Sequence, residues 1–280
     1  MKKLFSSLFS LLLLAGCAHL GPPAITQQAT NHWLPGKVVW HDLLVDDAEQ
    51  VLSFYTQLFG WSAETQGRFT QLFQGTQPVA SIVVMPNSKE TPVFARWLPS
   101  FSVRNVDRAA QAILDRGGKL LEKPRDLPRR GRFALVSDPQ GAQLVLLHSK
   151  TGDPVDHLPQ INSWLWDELW TQDAAKSLAF YKELAGYEVR KIRAGYWVLL
   201  RGNHWLAGVR ELRRKELESR WVPVVRVEDP KAMSERAVAL GGKLLVGTDE
   251  PPSDGMVALI ADPAGALLML QRWQPVEEIQ

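Results

Sequence analysis

Residues 40–60 read WHDLLVDDAEQVLSFYTQLFG and residues 166–186 read WDELWTQDAAKSLAFYKELAG. At a fixed offset of 126, Trp40, Leu43, Asp47, Ala48, Leu52, Phe54, Tyr55, Leu58 and Gly60 return as Trp166, Leu169, Asp173, Ala174, Leu178, Phe180, Tyr181, Leu184 and Gly186. Nine identities in so short a span are far beyond coincidence. At an offset of 124, Gly117-Gly118-Lys119-Leu120-Leu121 returns as Gly241-Gly242-Lys243-Leu244-Leu245, and Asp138-Pro139-x-Gly141-Ala142 as Asp262-Pro263-x-Gly265-Ala266. A period of about 125 residues is too long for a solenoid unit and fits duplicated whole domains.

Within the first copy, residues 38–45 alternate as a strand, and residues 48–58 place Val51, Leu52, Tyr55 and Leu58 at helical spacing before Gly60. Short strands over 61–65, 68–73 and 79–85 follow, separated by Gly67 and Gly75. The pattern then restarts, with a strand over 100–103, a helix over 106–116, and strands near Lys119, Phe133 and Leu144. The second copy repeats the order, with helices from Ala174 and Pro230. Gly117-Gly118 and Gly241-Gly242 end helices, so they read as C-cap turns and not as phosphate cradles.

These features resemble the vicinal oxygen chelate superfamily, the group of glyoxalase I, bleomycin-resistance proteins and extradiol dioxygenases. The resemblance covers roughly residues 37–272 and rests on Trp40-x-Asp42-Leu43, Asp47, Phe54-Tyr55 and Gly60-Trp61, their copies, and the two Asp-Pro-x-Gly-Ala turns. It implies an α+β fold, with four βαβββ units forming two tandem open barrels. It places domain 1 at 37–149, a linker at 150–161, domain 2 at 162–273 and a tail at 274–280. The resemblance also implies metal ligands at fixed strand positions. Here those positions hold Trp40 and Trp166, Leu98 and Val222, and Val145 and Met269, none of which offers an imidazole or carboxylate. No metal and no other cofactor is therefore expected.

Strand alternation aims Trp40, Asp42 and Leu44 at one cleft and Trp166, Glu168 and Trp170 at the other. A carboxylate beside an indole suits a general base or the recognition of a cationic or hydroxylated ligand, so Asp42 and Glu168 are the candidate catalytic residues. They equally suit acceptors of hydrogen bonds that close the barrel. Trp40, Phe69, Phe73, Trp166, Trp170, Tyr196 and Trp197 are the candidate ligand-binding residues, because aromatic walls stack flat organic molecules. His41 and His148 have the opposite parity and are expected to look away from the clefts.

Lys2 and Lys3 precede an apolar run over 4–15 that meets Leu14-Ala15-Gly16-Cys17, which resembles a lipobox. Residues 1–16 then read as a lipoprotein signal peptide, and Cys17, the sole cysteine, as the lipidated first mature residue and membrane attachment. Residues 17–36, rich in Pro, Gly, Thr and Gln, read as a flexible tether. Ala18 after the cysteine points to the periplasmic face of a bacterial outer membrane. Without Lys2 and Lys3 the chain has 30 basic and 30 acidic residues, so no overall field recruits nucleic acid. The basic runs at 123–132 and 210–215 read as solvated loops. The partners expected are thus a membrane and a small molecule. The functions left open are a metal-free binding protein, a lyase, isomerase or dioxygenase, and a structural platform.

Overall fold

The computed structural model describes residues 21–86, 94–213, 217–249 and 255–274. Cys17 and the apolar run before it lie outside the described residues, and among those described no helix is long and apolar enough to cross a membrane. The first half comprises β1 (Val38–Val45), α1 (Glu49–Phe59), β2 (Ser62–Gln66), β3 (Phe69–Gln74) and β4 (Gln77–Val84), then β5 (Arg96–Ser102), α2 (Val106–Asp115), β6 (Lys119–Leu127), β7 (Gly131–Ser137) and β8 (Gln143–Ser149). The second half repeats it with β9 (Trp164–Thr171), α3 (Ala174–Ala185), β10 (Glu188–Arg193), β11 (Tyr196–Arg201) and β12 (His204–Glu211), followed by β13 (Arg220–Val227), α4 (Pro230–Ala239), β14 (Lys243–Val246), β15 (Val257–Ala261) and β16 (Leu267–Arg272).

Each half folds into one eight-stranded sheet, ordered β2-β3-β4-β1-β5-β8-β7-β6 and β10-β11-β12-β9-β13-β16-β15-β14. Antiparallel pairing of β1 with β5, and of β9 with β13, joins two βαβββ units into each sheet. The expected α+β architecture of four such units in two tandem domains is what the chain adopts. Local chemistry sets the helix ends. Asn105, Asp173 and Asp229 each cap a helix by accepting from a backbone N–H two or three residues on, and Gly60 and Gly186 end α1 and α3 in the left-handed region.

The helices lie between the two sheets. Val51, Phe54, Tyr55 and Leu58 of α1 pack with Val225, Val227, Ile260 and Leu270 of the second sheet. In the reciprocal contact, Phe180 and Tyr181 of α3 join Phe101, Ile113 and Leu146 of the first half. The two halves therefore share their apolar cores and bury the helical side of each sheet, which leaves each concave face turned outward.

The repeated turns stitch this interface. Asp262 Oδ1 accepts from Ala264 N and Ala266 N of its own turn at 3.0 and 2.8 Å, while Oδ2 accepts from Tyr55 Oη of the other half at 3.0 Å. Trp97 Nε1 donates to Tyr55 Oη at 3.0 Å. The second copy of this relay runs Trp221–Tyr181–Asp138 at 3.2 Å per step. Burial pushes both Asp138 and Asp262 up from the ordinary carboxylate range, against the pull of their backbone donors. A carboxyl raised in the folded state adds stability that is fully present below its unfolded value, near about 3.9, and is lost as pH rises through the folded value. Relative to Asp262→Asn, the wild-type chain is therefore expected to be more stable at about pH 4 than at pH 7, which urea unfolding at the two pH values measures.

At the centre of the interface His41 Nε2 donates to Asp167 Oδ1 at 2.9 Å, both side chains being buried. The histidine ring packs on Trp164, with centroids 4.2 Å apart. His41 and Asp167 are equivalent in the repeat, being 126 residues apart, so the pseudo-two-fold axis relating the halves passes between them.

Residues 21–36 are not a free tether. Ile25 is 1% exposed and joins Trp40, Leu98, Phe133 and Val145 on the first concave face. Thr30 N and Asn31 N donate to Thr151 O at 2.9 and 3.0 Å, and Trp33 Nε1 donates to Ser149 O at 2.9 Å. The polar composition is real, but one isoleucine and a line of backbone hydrogen bonds suffice to dock the segment.

Candidate functional site

On the first concave face, β1 presents Trp40 and Asp42 as its alternation requires. Arg130 Nη1 donates to Asp42 Oδ1 and Oδ2 at 2.8 and 2.6 Å, and Trp40 Nε1 donates to Oδ1 at 3.2 Å. The same guanidinium lies over the Trp40 ring at 5.4 Å and reaches Ser81 Oγ at 3.2 Å. Its Nε donates to Pro23 O at 2.9 Å, and Gln71 Nε2 donates to Ala24 O at 2.8 Å. Phe69 and Phe73 are buried on β3. The N-terminal segment thus fills the first hollow, with Ile25 as its plug.

The second concave face has a glutamate where the first has an aspartate, with a different supporting set. Glu168 Oε1 accepts from Tyr196 Oη at 2.8 Å and Arg210 Nη2 at 3.1 Å, and Oε2 accepts from Arg210 Nε at 2.9 Å and Trp170 Nε1 at 3.2 Å. Burial pulls the Arg210 guanidinium down, but the Glu168 charge beside it prevails and leaves it above its ordinary value. Burial, then the Glu168 charge, pushes the Tyr196 hydroxyl far above its ordinary value, so it stays a donor. Gly208 makes room for this group, since a β-carbon there would stand 2.7 Å from Tyr196 Oη and 2.9 Å from Glu168 Cγ.

Trp166 packs between Tyr196, Val198 and Leu200 on one side and Val222, Val224 and Met269 on the other. Its Nε1 is buried and donates to nothing. Trp205, 49% exposed, stacks along it with centroids 6.1 Å apart and planes 17° apart. Among the described residues, the apolar clusters of this face contain only second-half side chains, with no counterpart of Ile25.

Trp197 is corrected. It packs against the helical core with Phe180 and Tyr181, on the side of β11 opposite Tyr196, because neighbours on a strand cannot share a face. Two members of the basic runs are not free in solvent: Arg130 is the buried partner of Asp42, and Arg210 the partly buried partner of Glu168. The signal that could have found them was the acids themselves, since a carboxylate aimed into an apolar hollow requires a cation. His41 and His148 point away from the clefts, the latter stacking on Trp33 at 5.2 Å.

The positions where a metal would be held do converge. Trp40, Leu98 and Val145 form one cluster, and Trp166, Val222 and Met269 another. Indole and aliphatic side chains are not donors for Zn, Mn or Fe, the single thioether of Met269 is a soft ligand ill-suited to them, and the neighbouring acids are already engaged by arginine, so these residues do not fit a catalytic metal. Among the described residues no group of three or more His, Cys, Asp or Glu side chains could hold one elsewhere.

Residues 37–146 match the model of the Glyoxalase/Bleomycin resistance protein/Dioxygenase superfamily, and residues 166–270 that of a glyoxalase-like domain. The chain is a two-domain member of that superfamily. It is 27% identical over 255 residues to "Putative glyoxylase CFP32" of Mycobacterium tuberculosis (strain CDC 1551 / Oshkosh), spanning 88% of this chain and 98% of that one. It is 26% identical over 258 residues to the anthracycline biosynthesis protein DauV of Streptomyces sp. (strain C5), spanning 84% and 93%. Among solved structures it is similar in fold to an extradiol ring-cleaving dioxygenase from B. fuscum, with a TM-score of 0.60, 14% identity and coverage of 91% and 77%. It is likewise similar to the Mn(II)-bound glyoxalase from Novosphingobium aromaticivorans, with a TM-score of 0.59, 11% identity and coverage of 85% and 82%.

Proposed function

We propose that this superfamily member binds a small organic molecule on the aromatic concave face of its second half, without the family's metal, and is held at a membrane through lipidated Cys17. The observation that carries the reading is Trp166 Nε1, a buried donor without an acceptor beside Trp170 and Tyr196. A buried indole N–H ordinarily finds a partner, so an acceptor on a bound molecule completes the site. Glu168 fixes Trp170, Tyr196 and Arg210 and is not assigned a base's role, since its oxygens are fully used. The filled first hollow favours a structural role for that half, with Asp42 and Arg130 closing it.

Native mass spectrometry of protein extracted from its own membranes tests this reading. A bound organic mass is expected, with Trp166→Phe weakening its retention about tenfold, the effect of one lost hydrogen bond of ~1.4 kcal/mol. Cys17→Ser is expected to leave the protein in the soluble fraction. Retained stoichiometric Zn, Ni, Mn or Fe, or equal retention by the Trp166→Phe variant, rejects the binding reading. Membrane association of Cys17→Ser rejects the anchor.

A further inference from the structure

A further hollow opens between the halves, sharing Leu98 with the first concave face and Leu267 with the second. It holds about 590 Å³ and lies where the first residues of β5 and β13 meet the two Asp-Pro-x-Gly turns at Gly141 and Gly265. That volume is in the range of small-molecule sites. The hollow straddles the pseudo-two-fold axis, with Arg96 opposite its repeat equivalent Arg220 and Trp97 opposite Trp221, at the offset of 124.

Its polar groups do not follow that symmetry. Arg96 Nη1 donates to Phe94 O at 3.1 Å, but its Nε is buried and donates to nothing. Among the described residues no carboxylate lies within ion-pair distance of Arg96, whereas Arg130 and Arg210 each have one and Arg132 has two. The guanidinium therefore keeps N–H groups beyond its bond to Phe94 O, and its planar fork suits two oxygens of one carboxylate. Partial burial lowers Arg96 from its ordinary value. Across the hollow, Gln143 Oε1 is buried and accepts nothing, while its repeat equivalent is Leu267. Arg96 and Gln143 thus line one cavity, each with a buried polar atom left without a partner, and the second half's equivalent of Gln143 is an apolar side chain.

We propose that this hollow binds a small organic acid, its carboxylate on Arg96 and a hydroxyl or amine donor on Gln143 Oε1. Leu98 and Leu267 supply apolar wall for the body of such a molecule. Glu218, which reaches Arg220 at 3.6 Å, adds negative charge at the rim and disfavours a phosphate dianion over a monocarboxylate. The polar groups of this site, Arg96 and Gln143, belong to the first half and only Leu267 is shared with the cluster around Trp166, so either reading can fail without the other.

Calorimetry with 4-hydroxybenzoate on the full chain tests it. The acid is expected to bind, and its neutral analogue 4-hydroxybenzamide to bind about tenfold more weakly or not at all. Arg96→Gln is expected to weaken the acid about tenfold. Gln143→Leu, which installs the residue of the sister half, is expected to weaken 4-hydroxybenzoate while leaving benzoate unchanged. Trp166→Phe is expected to change neither. Equal affinity for acid and amide, unchanged affinity in Arg96→Gln, tighter binding of inorganic phosphate, or no heat from the acid at roughly 10 mM overturns the proposal. The acid-amide comparison and Gln143→Leu keep the test decisive even where Arg96→Gln folds poorly.

Discussion

Arg130→Ala is expected to lower the unfolding free energy by about 3–5 kcal/mol, because it strands a buried carboxylate without its cation. Asp42 is 8% exposed and receives both of its short charged hydrogen bonds from Arg130. Against a total stability of about 5–15 kcal/mol for a folded domain, a loss of that size moves the urea midpoint far enough to measure directly. The variant also removes the donor to Pro23 O, so protease cleavage between residues 21 and 36 is expected to accelerate. The double variant Asp42→Asn/Arg130→Met, which removes both charges and keeps volume, is expected to regain most of the loss. A change under about 1 kcal/mol for Arg130→Ala places the pair at a wet surface and refutes the burial described.

Ile25→Ala carries the second large effect, a loss of about 2–5 kcal/mol, the cost of truncating a buried isoleucine. Ile25 packs with Trp40, Leu98, Leu127, Phe133, Val145 and Leu147, so the variant opens a cavity among them. Urea unfolding followed by tryptophan fluorescence reads it. A free tether predicts instead a change within about 0.5 kcal/mol, as for an ordinary surface substitution. The two outcomes do not overlap.

The repeat made the element order legible, because each copy confirms the other's strand and helix boundaries. The role of the Asp-Pro-x-Gly-Ala turns was hidden: each turn's own backbone uses only Oδ1 of its aspartate, and the tyrosine that takes Oδ2 stands more than forty residues away in the other half. Docking of residues 21–36 escaped because composition averages over a segment, whereas a single isoleucine meeting a matching hollow decides the matter. Alternation placed Trp40, Asp42, Trp166 and Glu168 correctly, since it needs only neighbouring residues. It said nothing of Arg130 and Arg210, which come from the residue before β7 and from β12: the first lies three strands from Asp42 in the sheet order, and the second sits on the strand paired with β9, diagonal to Glu168. The unlike origins of the two arginines also show that the halves solved one electrostatic problem separately.

The His41–Asp167 contact sits where the chain touches its own image. An assembly of two separate copies of either half would be obliged to put like against like on that axis, two aspartates repelling in a dry seam or two imidazoles. Covalent linkage lifts the obligation, so an acid and a base can share a self-contacting spot. Each half is thereby marked as a left or a right hand, fitted to its sister and ill-suited to a twin.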